Sequence, residues 1–412
     1  MQQWYLDLTY LFKSSMSAIA KTSRSRMQTI QSPVIPLIGE LIQKNPGTIS
    51  LGQGVVSYAP PHSAISAIQD FLANSQSHKY QSVIGIPELR DTIQRKLLHD
   101  NQIAIDENNC VVVTAGSNMG FLNAILAITN AEDEIILNTP YYFNHEMAIR
   151  MANCHPILVA TDDNYQPRID SILRAITSQT KAIVTISPNN PTGAVYSAET
   201  LQKINLTCQE AGIYHISDEA YEYFTYNQIK HASPASFPNS TAQTISLFSL
   251  SKTYGFASWR IGYMVIPHDL LLSVKKVQDT NLICPPVISQ YAALGALQVE
   301  KSYLQHHLAK ITEVRNIVYQ QLTNLPNNCY VATANGAFYF FIKVQTTMSD
   351  LELVTKLIEQ YQVAVIPGST FGTDDGCYLR VAYGALTPEN ATLGISRLIT
   401  GITELTQSIN HE

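Results

Sequence analysis

The stretch "SLFSLSKTYGFASWRIGY" (residues 246–263) sets a single amine, Lys252, among serines at the end of an apolar run, with Arg260 eight residues on. Burying a lysine costs free energy, so this one either sits on a surface loop or has chemistry to do. Four other stretches carry complementary groups. "AGSNMG" (115–120) brings Ser117 and Asn118 between small residues that let an anion approach the backbone. "NTPYYF" (138–143) supplies the aromatic pair Tyr141 and Tyr142, "SPNNPTG" (187–193) presents two amides, Asn189 and Asn190, and "DEAY" (218–221) adds an acidic pair and the phenol of Tyr221. Taken singly, each reads as a helix cap, a turn or a solvated loop. Together they supply an anion cradle, an aromatic platform, an amide, a carboxylate and an amine. A flat aromatic phosphate that reacts with an amine would use all of them.

The elements that must position these groups are legible as alternating short apolar runs and longer helical patterns. Strands are expected at Val111–Thr114, Glu134–Leu137, Ala182–Ile186, Tyr214–Ser217 and Thr244–Phe248, with helices at Gly120–Thr129, Ala198–Ala211 and Leu270–Asp279 between them. Short, continuously apolar strands separated by helices predict a mostly parallel sheet covered on both faces. In such a sheet ligands bind beyond the carboxyl ends of the strands. Each of the five stretches follows one of the expected strands, so all fall on one edge. The ligand that fits is pyridoxal 5′-phosphate. Its aldehyde would form a Schiff base with the lysine, and a carboxylate on its pyridine nitrogen would keep the ring able to accept electrons. Downstream, a helical pattern over Pro286–Tyr319 precedes strands at Ala337–Val344, Val363–Val365 and Tyr378–Ala382 and a helix at Asp350–Tyr361, the pattern of a smaller α+β domain.

Composition narrows the class. The chain has 412 residues, 45% apolar and 14% charged, and a net charge of −6. It is globular, and neither nucleic acid nor an anionic membrane is expected as a partner. Its six cysteines are single, with no C-x-x-C pair and no H-E-x-x-H, so no disulfide scaffold and no metal site are expected. The basic, serine-rich run from Lys13 to Arg26 resembles an organelle-targeting segment, or a weak signal with Ala18-Ile19-Ala20 as a cleavage-like triplet. The preferred reading is a disordered extension of a cytoplasmic protein.

The order and content of the motifs resemble the class I/II aminotransferase family of fold-type I pyridoxal-phosphate enzymes. "ISLGQG", "YQSVIGIPELR", "NGAFYFF", "PGSTFG" and "YLRVAYG" join the stretches above, so the likeness covers residues 49–384, and Asp218 precedes Lys252 by 34 residues. The resemblance implies a large mostly parallel α/β domain over 61–295 and a smaller α+β domain over 296–412. Residues 1–26 would be an extension and 27–60 an arm contributing to the small domain. It implies that Lys252 is the Schiff-base lysine and proton carrier, that Asp218 pairs with the pyridinium nitrogen, and that Asn190 and Tyr221 bind the 3′-oxygen. Tyr142 would stack on the ring, while Ser117, Asn118, Ser249 and Arg260 would hold the phosphate. Arg380 would grip the substrate α-carboxylate as a fork, assisted by Gly54 and Asn190. Tyr80 would reach the phosphate of a neighbouring subunit in a homodimer with shared active sites.

The resemblance implies an aminotransferase that moves an α-amino group between an amino acid and a 2-oxo acid. The same scaffold supports a C–S β-elimination lyase and other pyridoxal-phosphate reactions, and these stay open as alternatives. A cofactor-sensing regulator would need a DNA-binding head, for which the extension is too short. One strip departs from the pattern. Where the family commonly has Gly-x-Pro-Asp-Phe, this chain reads "GVVSYAPP" (54–61), with Val56, Ser57 and Tyr58 in place of Pro, Asp and Phe. That strip is expected near the substrate. No side chain reads as a binder for a second substrate carboxylate, and a bulky or apolar amino acid is favoured.

Overall fold

The structure is a computed structural model and describes residues 25–407; the expected targeting-like run therefore falls almost wholly outside the described residues. A 3-10 turn at Arg26–Thr29 is capped by the Ser25 side chain. From Pro33 onward the chain forms one compact unit. It opens with α1 (Val34–Lys44) and a short strand β1 (Ile49–Ser50), followed by α2 (His62–Ala73) and α3 (Pro87–Lys96).

The main sheet comprises β2 (Asn109–Thr114), β3 (Glu134–Thr139), β4 (His155–Ala160), β5 (Thr180–Ile186), β6 (Tyr214–Asp218), β7 (Thr244–Ser249) and β8 (Gly262–Pro267). Its spatial order is β2-β8-β7-β6-β5-β3-β4, and every neighbouring pair is parallel except those made by β8. Alternation along β2 shows why the strands are apolar throughout. Val111 and Val113 face one core with Phe248 and Val265, and Val112 faces the other with Ile135, Val184 and Leu247. Helices cover both faces, including α4 (Ser117–Ile128), α5 (Phe143–Met151) and α7 (Ala198–Ala211), with α6 (Ile169–Ala175) lying between β4 and β5 in the chain. The bounds of α7 match its sequence signals: Ser197 accepts from the Thr200 amide at 3.0 Å, and Gly212 ends the helix at φ +66°.

Several elements differ from expectation. Strand β8 was not anticipated. It continues directly from the lysine-bearing stretch, and the connection 250–261 holds only α8 (Leu250–Thr253) and a short 3-10 turn. That is too little to cross to a parallel position, so the chain returns antiparallel. Strand β4, at the sheet edge, was not anticipated either; only Val159 is buried, while His155, Leu158 and Ala160 are exposed. After α9 (Leu271–Asn281), the single helix expected over 286–319 is two helices, α10 (Val287–Ala296) and α11 (Lys301–Leu322). The chain breaks at Leu297–Glu300, where Leu297 and Val299 turn in to pack on the core while Gly295 lies flat against the Ser63 backbone.

The remaining strands are β9 (Cys329–Val331), β10 (Tyr339–Val344), β11 (Val363–Ala364), β12 (Ile366–Pro367) and β13 (Cys377–Ala382), with α12 (Asp350–Tyr361) and a closing helix α13 (Pro388–Gln407). A four-stranded antiparallel sheet runs β12-β13-β10-β9. The strand expected over 363–365 is split: β11 pairs with β1, and β12 pairs with β13. Segment 49–50 is thereby tied to residues 363–364, and Arg380 stands on β13 between Ile366 and Phe341.

Candidate active site

The carboxyl ends of β2, β3, β5, β6 and β7 open on a cavity of about 480 Å³. Its wall includes Gly54, Ser117, Asn118, Tyr142, Asn190, Asp218, Tyr221, Ser249, Lys252, Arg260 and Arg380. Every site residue expected from sequence is therefore in one place, with one exception. Tyr80 lies outside the cavity and is 79% exposed.

Lys252 is the third residue of the one-turn α8, which Ser249 caps, its Oγ accepting from the Ser251 amide at 3.2 Å. Its Nζ donates to the Gly54 carbonyl at 2.5 Å. Desolvation, helped by the positive charges of Arg380 and Arg260, lowers its pKa to about 8, against the opposing pull of Asp218. An amine so placed is neutral for part of the time near neutral pH and can act as nucleophile or base.

One end of the cavity is built for a phosphate. Ser117 and Asn118 open α4, where backbone N–H groups lack intrahelical partners. Gly116 precedes them at φ +82°, and a Cβ there would stand 2.4 Å from Arg260 Nη2. Glycine at this position lets the guanidinium close over the helix start. Arg260 itself adopts a left-handed conformation, φ +52°, and donates from Nη1 to the Ala257 carbonyl at 2.9 Å. Ser249 and Ser251 add hydroxyls on the same wall.

The middle of the cavity offers a carboxylate and phenols. Asp218, 4% exposed, accepts from the Ala220 amide at 3.0 Å, and His145 Nε2 approaches its Oδ2 at 3.1 Å. His145 stacks on Phe121 with centroids 4.0 Å apart and meets the Tyr142 ring edge-on. Tyr142 accepts from Asn144 at 2.8 Å and faces Asn118 at 3.5 Å. The Tyr221 and Tyr339 hydroxyls are 2.7 Å apart. Burial raises the pKa of Tyr221 far above the phenol range and that of Tyr339 to about 12, so both stay protonated.

At the far end Arg380 is 3% exposed. It donates to Asn190 Oδ1 at 2.9 Å and to the Gly52 carbonyl at 2.7 Å, and its guanidinium lies 4.6 Å from the Tyr339 ring centroid. Its Nε has no partner, and no carboxylate pairs with it among the described residues. A buried guanidinium without a counter-charge is costly, so this end is arranged for an anion. Gly52 supplies the carbonyl that touches Arg380, whereas the Gly54 carbonyl faces Lys252.

Sequence reasoning left out Tyr339, Ser251 and His145. Tyr339 stood in "NGAFYFF" without an assigned role, Ser251 is masked by its neighbours in "SLSK", and His145 becomes visible only as the residue one helical turn beyond Tyr142.

The family pattern described as aminotransferase class I and II matches residues 46–398. The chain belongs to that family. A probable aspartate/prephenate aminotransferase of Aquifex aeolicus is 34% identical over 89% of this chain and 94% of its own length. An aromatic aminotransferase of Arabidopsis thaliana is 31% identical over 95% and 98%. Among solved structures, an aspartate aminotransferase of Thermus thermophilus superposes with a TM-score of 0.84 at 27% identity, covering 92% of this chain and 99% of that one. The aromatic aminotransferase of Pyrococcus horikoshii superposes with a TM-score of 0.82 at 29% identity, covering 89% and 99%. The chain is thus a pyridoxal-phosphate-dependent aminotransferase, a fold-type I enzyme that moves an amino group between an amino acid and a 2-oxo acid. The cavity fits that cofactor: a helix-start cradle closed by Arg260, a buried carboxylate and an amine of lowered pKa stand in one chamber.

Proposed function

We propose that this aminotransferase acts on amino acids with apolar or aromatic side chains, with Lys252 as the reacting amine and Arg380 as the α-carboxylate fork. The observation that carries the reading is the pairing, in one cavity, of a partly neutral amine with a buried guanidinium that lacks a counter-charge. Bound pyridoxal phosphate supplies an aldehyde that captures amines and a ring that draws electrons from the substrate Cα. The rest is done by the chain's own groups. The α4 start, Ser117, Asn118, Ser249 and Arg260 hold the phosphate. Asp218, backed by His145, holds the proton on the pyridine nitrogen. Tyr221 and Asn190 hold the 3′-oxygen, and Tyr142 covers the ring. Lys252 would take the proton from Cα and return it to the cofactor's C4′, the carbon that keeps the amino nitrogen.

The substrate preference follows from how the cations are used. Among the described residues of a single chain, the cavity wall carries three cations, Lys252, Arg260 and Arg380, and each has a part in this scheme. None is left for a side-chain carboxylate, and the remaining wall includes Ile35, Val55 and Phe143. The relatives' names divide between aspartate and aromatic substrates. The apolar wall favours the second. The proposal extends to a cytoplasmic homodimer in which Tyr80, exposed on the single chain, reaches the partner's phosphate site, and to a division into an arm over 27–60, a large domain over 61–295 and a small one over 296–412. No described helix is long and apolar enough to cross a membrane.

A screen of amino donors against 2-oxo acids tests this reading. Phenylalanine, tyrosine or leucine should convert the bound cofactor to its amine form faster than aspartate does. Ammonia and pyruvate from cysteine conjugates, without that conversion, would instead establish a lyase.

A further inference from the structure

The strip that departs from the family pattern does not lie along the substrate. Of residues 54–58, only Gly54 and Val55 line the cavity. Ser57 borders a separate cavity of about 290 Å³ with Lys310 and Tyr383, and its amide donates to the Gly384 carbonyl at 3.2 Å. Tyr58 goes to the lysine instead. Its hydroxyl donates to the Lys252 carbonyl at 2.8 Å and lies 3.1 Å from the Thr253 carbonyl.

These carbonyls end α8, a single turn of four residues. So short a helix cannot hold its own shape, and its terminal carbonyls need outside donors. Tyr58 is itself firmly held. Its ring stacks on His307 of α11 with centroids 3.9 Å apart and planes 21° apart, and Tyr303 meets it edge-on. The Tyr303 hydroxyl donates to the Ala59 carbonyl at 3.2 Å. Beyond the lysine, Gly255 at φ +69° passes so close that a Cβ would stand 2.5 Å from the Tyr58 carbonyl. Burial keeps the Tyr58 phenol protonated, and so a donor, throughout the working pH range. The same strip also meets the other end of the lysine, where Gly54 accepts from Nζ. The pattern expected at position 58 ends in Phe, which would keep the stack and lack the hydroxyl.

We propose that Tyr58 is a positioning residue for Lys252: it fixes the main chain from which the amine reaches the cofactor, and the stack on His307 anchors it to α11. The inference rests on the reading of Lys252 as the reacting amine. A lysine side chain has four rotatable bonds, so its amine is placed only as well as its backbone is. A misplacement of about 1 Å can cost on the order of 100-fold in rate.

The test is Tyr58→Phe in the holoenzyme. Loss of the hydroxyl should lower kcat about tenfold while the amino-acid KM stays within about twofold. The pH midpoint at which the cofactor's visible band titrates should also move, a readout that a purely structural role would leave alone. A folded variant with wild-type kcat and an unmoved midpoint overturns the proposal. Should this variant fail to fold, His307→Leu keeps the hydroxyl and loosens the ring. It should shift both readouts in the same direction by less, and no shift in either again overturns the proposal. A wild-type protein that shows no cofactor band would overturn the reading of Lys252 as well. A normal wild-type band with an unmoved variant overturns this inference alone.

Discussion

Asn190 Oδ1 accepts from Arg380 Nη1 at 2.9 Å, and the Nδ2 of the same amide faces the Tyr221 hydroxyl at 3.5 Å. One side chain from the loop after β5 therefore links Arg380 on β13, the proposed substrate fork, to Tyr221, the phenol proposed to serve the cofactor. Replacing Asn190 by Ala should weaken both ends together. We expect amino-acid KM to rise about tenfold, with a parallel loss of cofactor affinity, for one charge-assisted hydrogen bond removed. Steady-state kinetics and cofactor titration of the variant check this; a change confined to one end would show that the two are not linked.

Arg380→Lys should leave the visible cofactor band in place and reduce kcat/KM on the order of 100-fold, mostly through KM. A point charge cannot reproduce a planar fork, and the carbonyl of Gly52 and the amide of Asn190 are spaced for the guanidinium. Unchanged KM would remove Arg380 from the substrate site.

Lys252 has a pKa of about 8, lowered from that of an ordinary lysine chiefly by burial. The base form is the deprotonated one, so the rate of proton removal from the bound amino acid should rise with pH and level off above about 8. Stopped-flow half-reactions across pH 6–10 would show it. Removing the opposing charge through Asp218→Asn should move that midpoint down, because the Asp218 carboxylate favours the ammonium form.

Gly116→Ala tests the phosphate cradle. The residue stands at φ +82°, and its new methyl would meet Arg260 Nη2 at 2.4 Å. The backbone strain should cost about 1–2 kcal/mol of stability, and displacement of Arg260 should weaken cofactor binding by about tenfold or more. Thermal unfolding with and without added cofactor separates the two effects, since only the second narrows the gap between the two curves.

That the proposed cofactor-binding groups meet at one sheet edge was readable from sequence because each is encoded locally. Ser117, Asn190, Asp218 and Lys252 each follow directly on a short apolar strand, so strand prediction alone brings them to one edge. What escaped prediction depends on distant partners. Tyr339 matters through a hydroxyl 118 residues away, and Tyr58 through a carbonyl 194 residues away. Neither contact leaves a local pattern. Strand β8 was missed because "RIGYMVIP" reads as the tail of the lysine motif, and the split of 363–367 between two sheets cannot be seen in a run that is apolar throughout. The expectation that 56–58 line the substrate site followed the family's pattern, and the structure turns Ser57 and Tyr58 elsewhere.

The central claim, that Lys252 is the amine on which the transfer turns, is tested most directly by following single-turnover conversion of the cofactor by an aromatic amino acid in Lys252→Ala. The account predicts a folded protein that still binds pyridoxal phosphate through the α4 cradle, lacks the wild-type visible band, and converts it at least about 10³-fold more slowly than the wild type. Conversion at the wild-type rate, with the wild-type band, would contradict it.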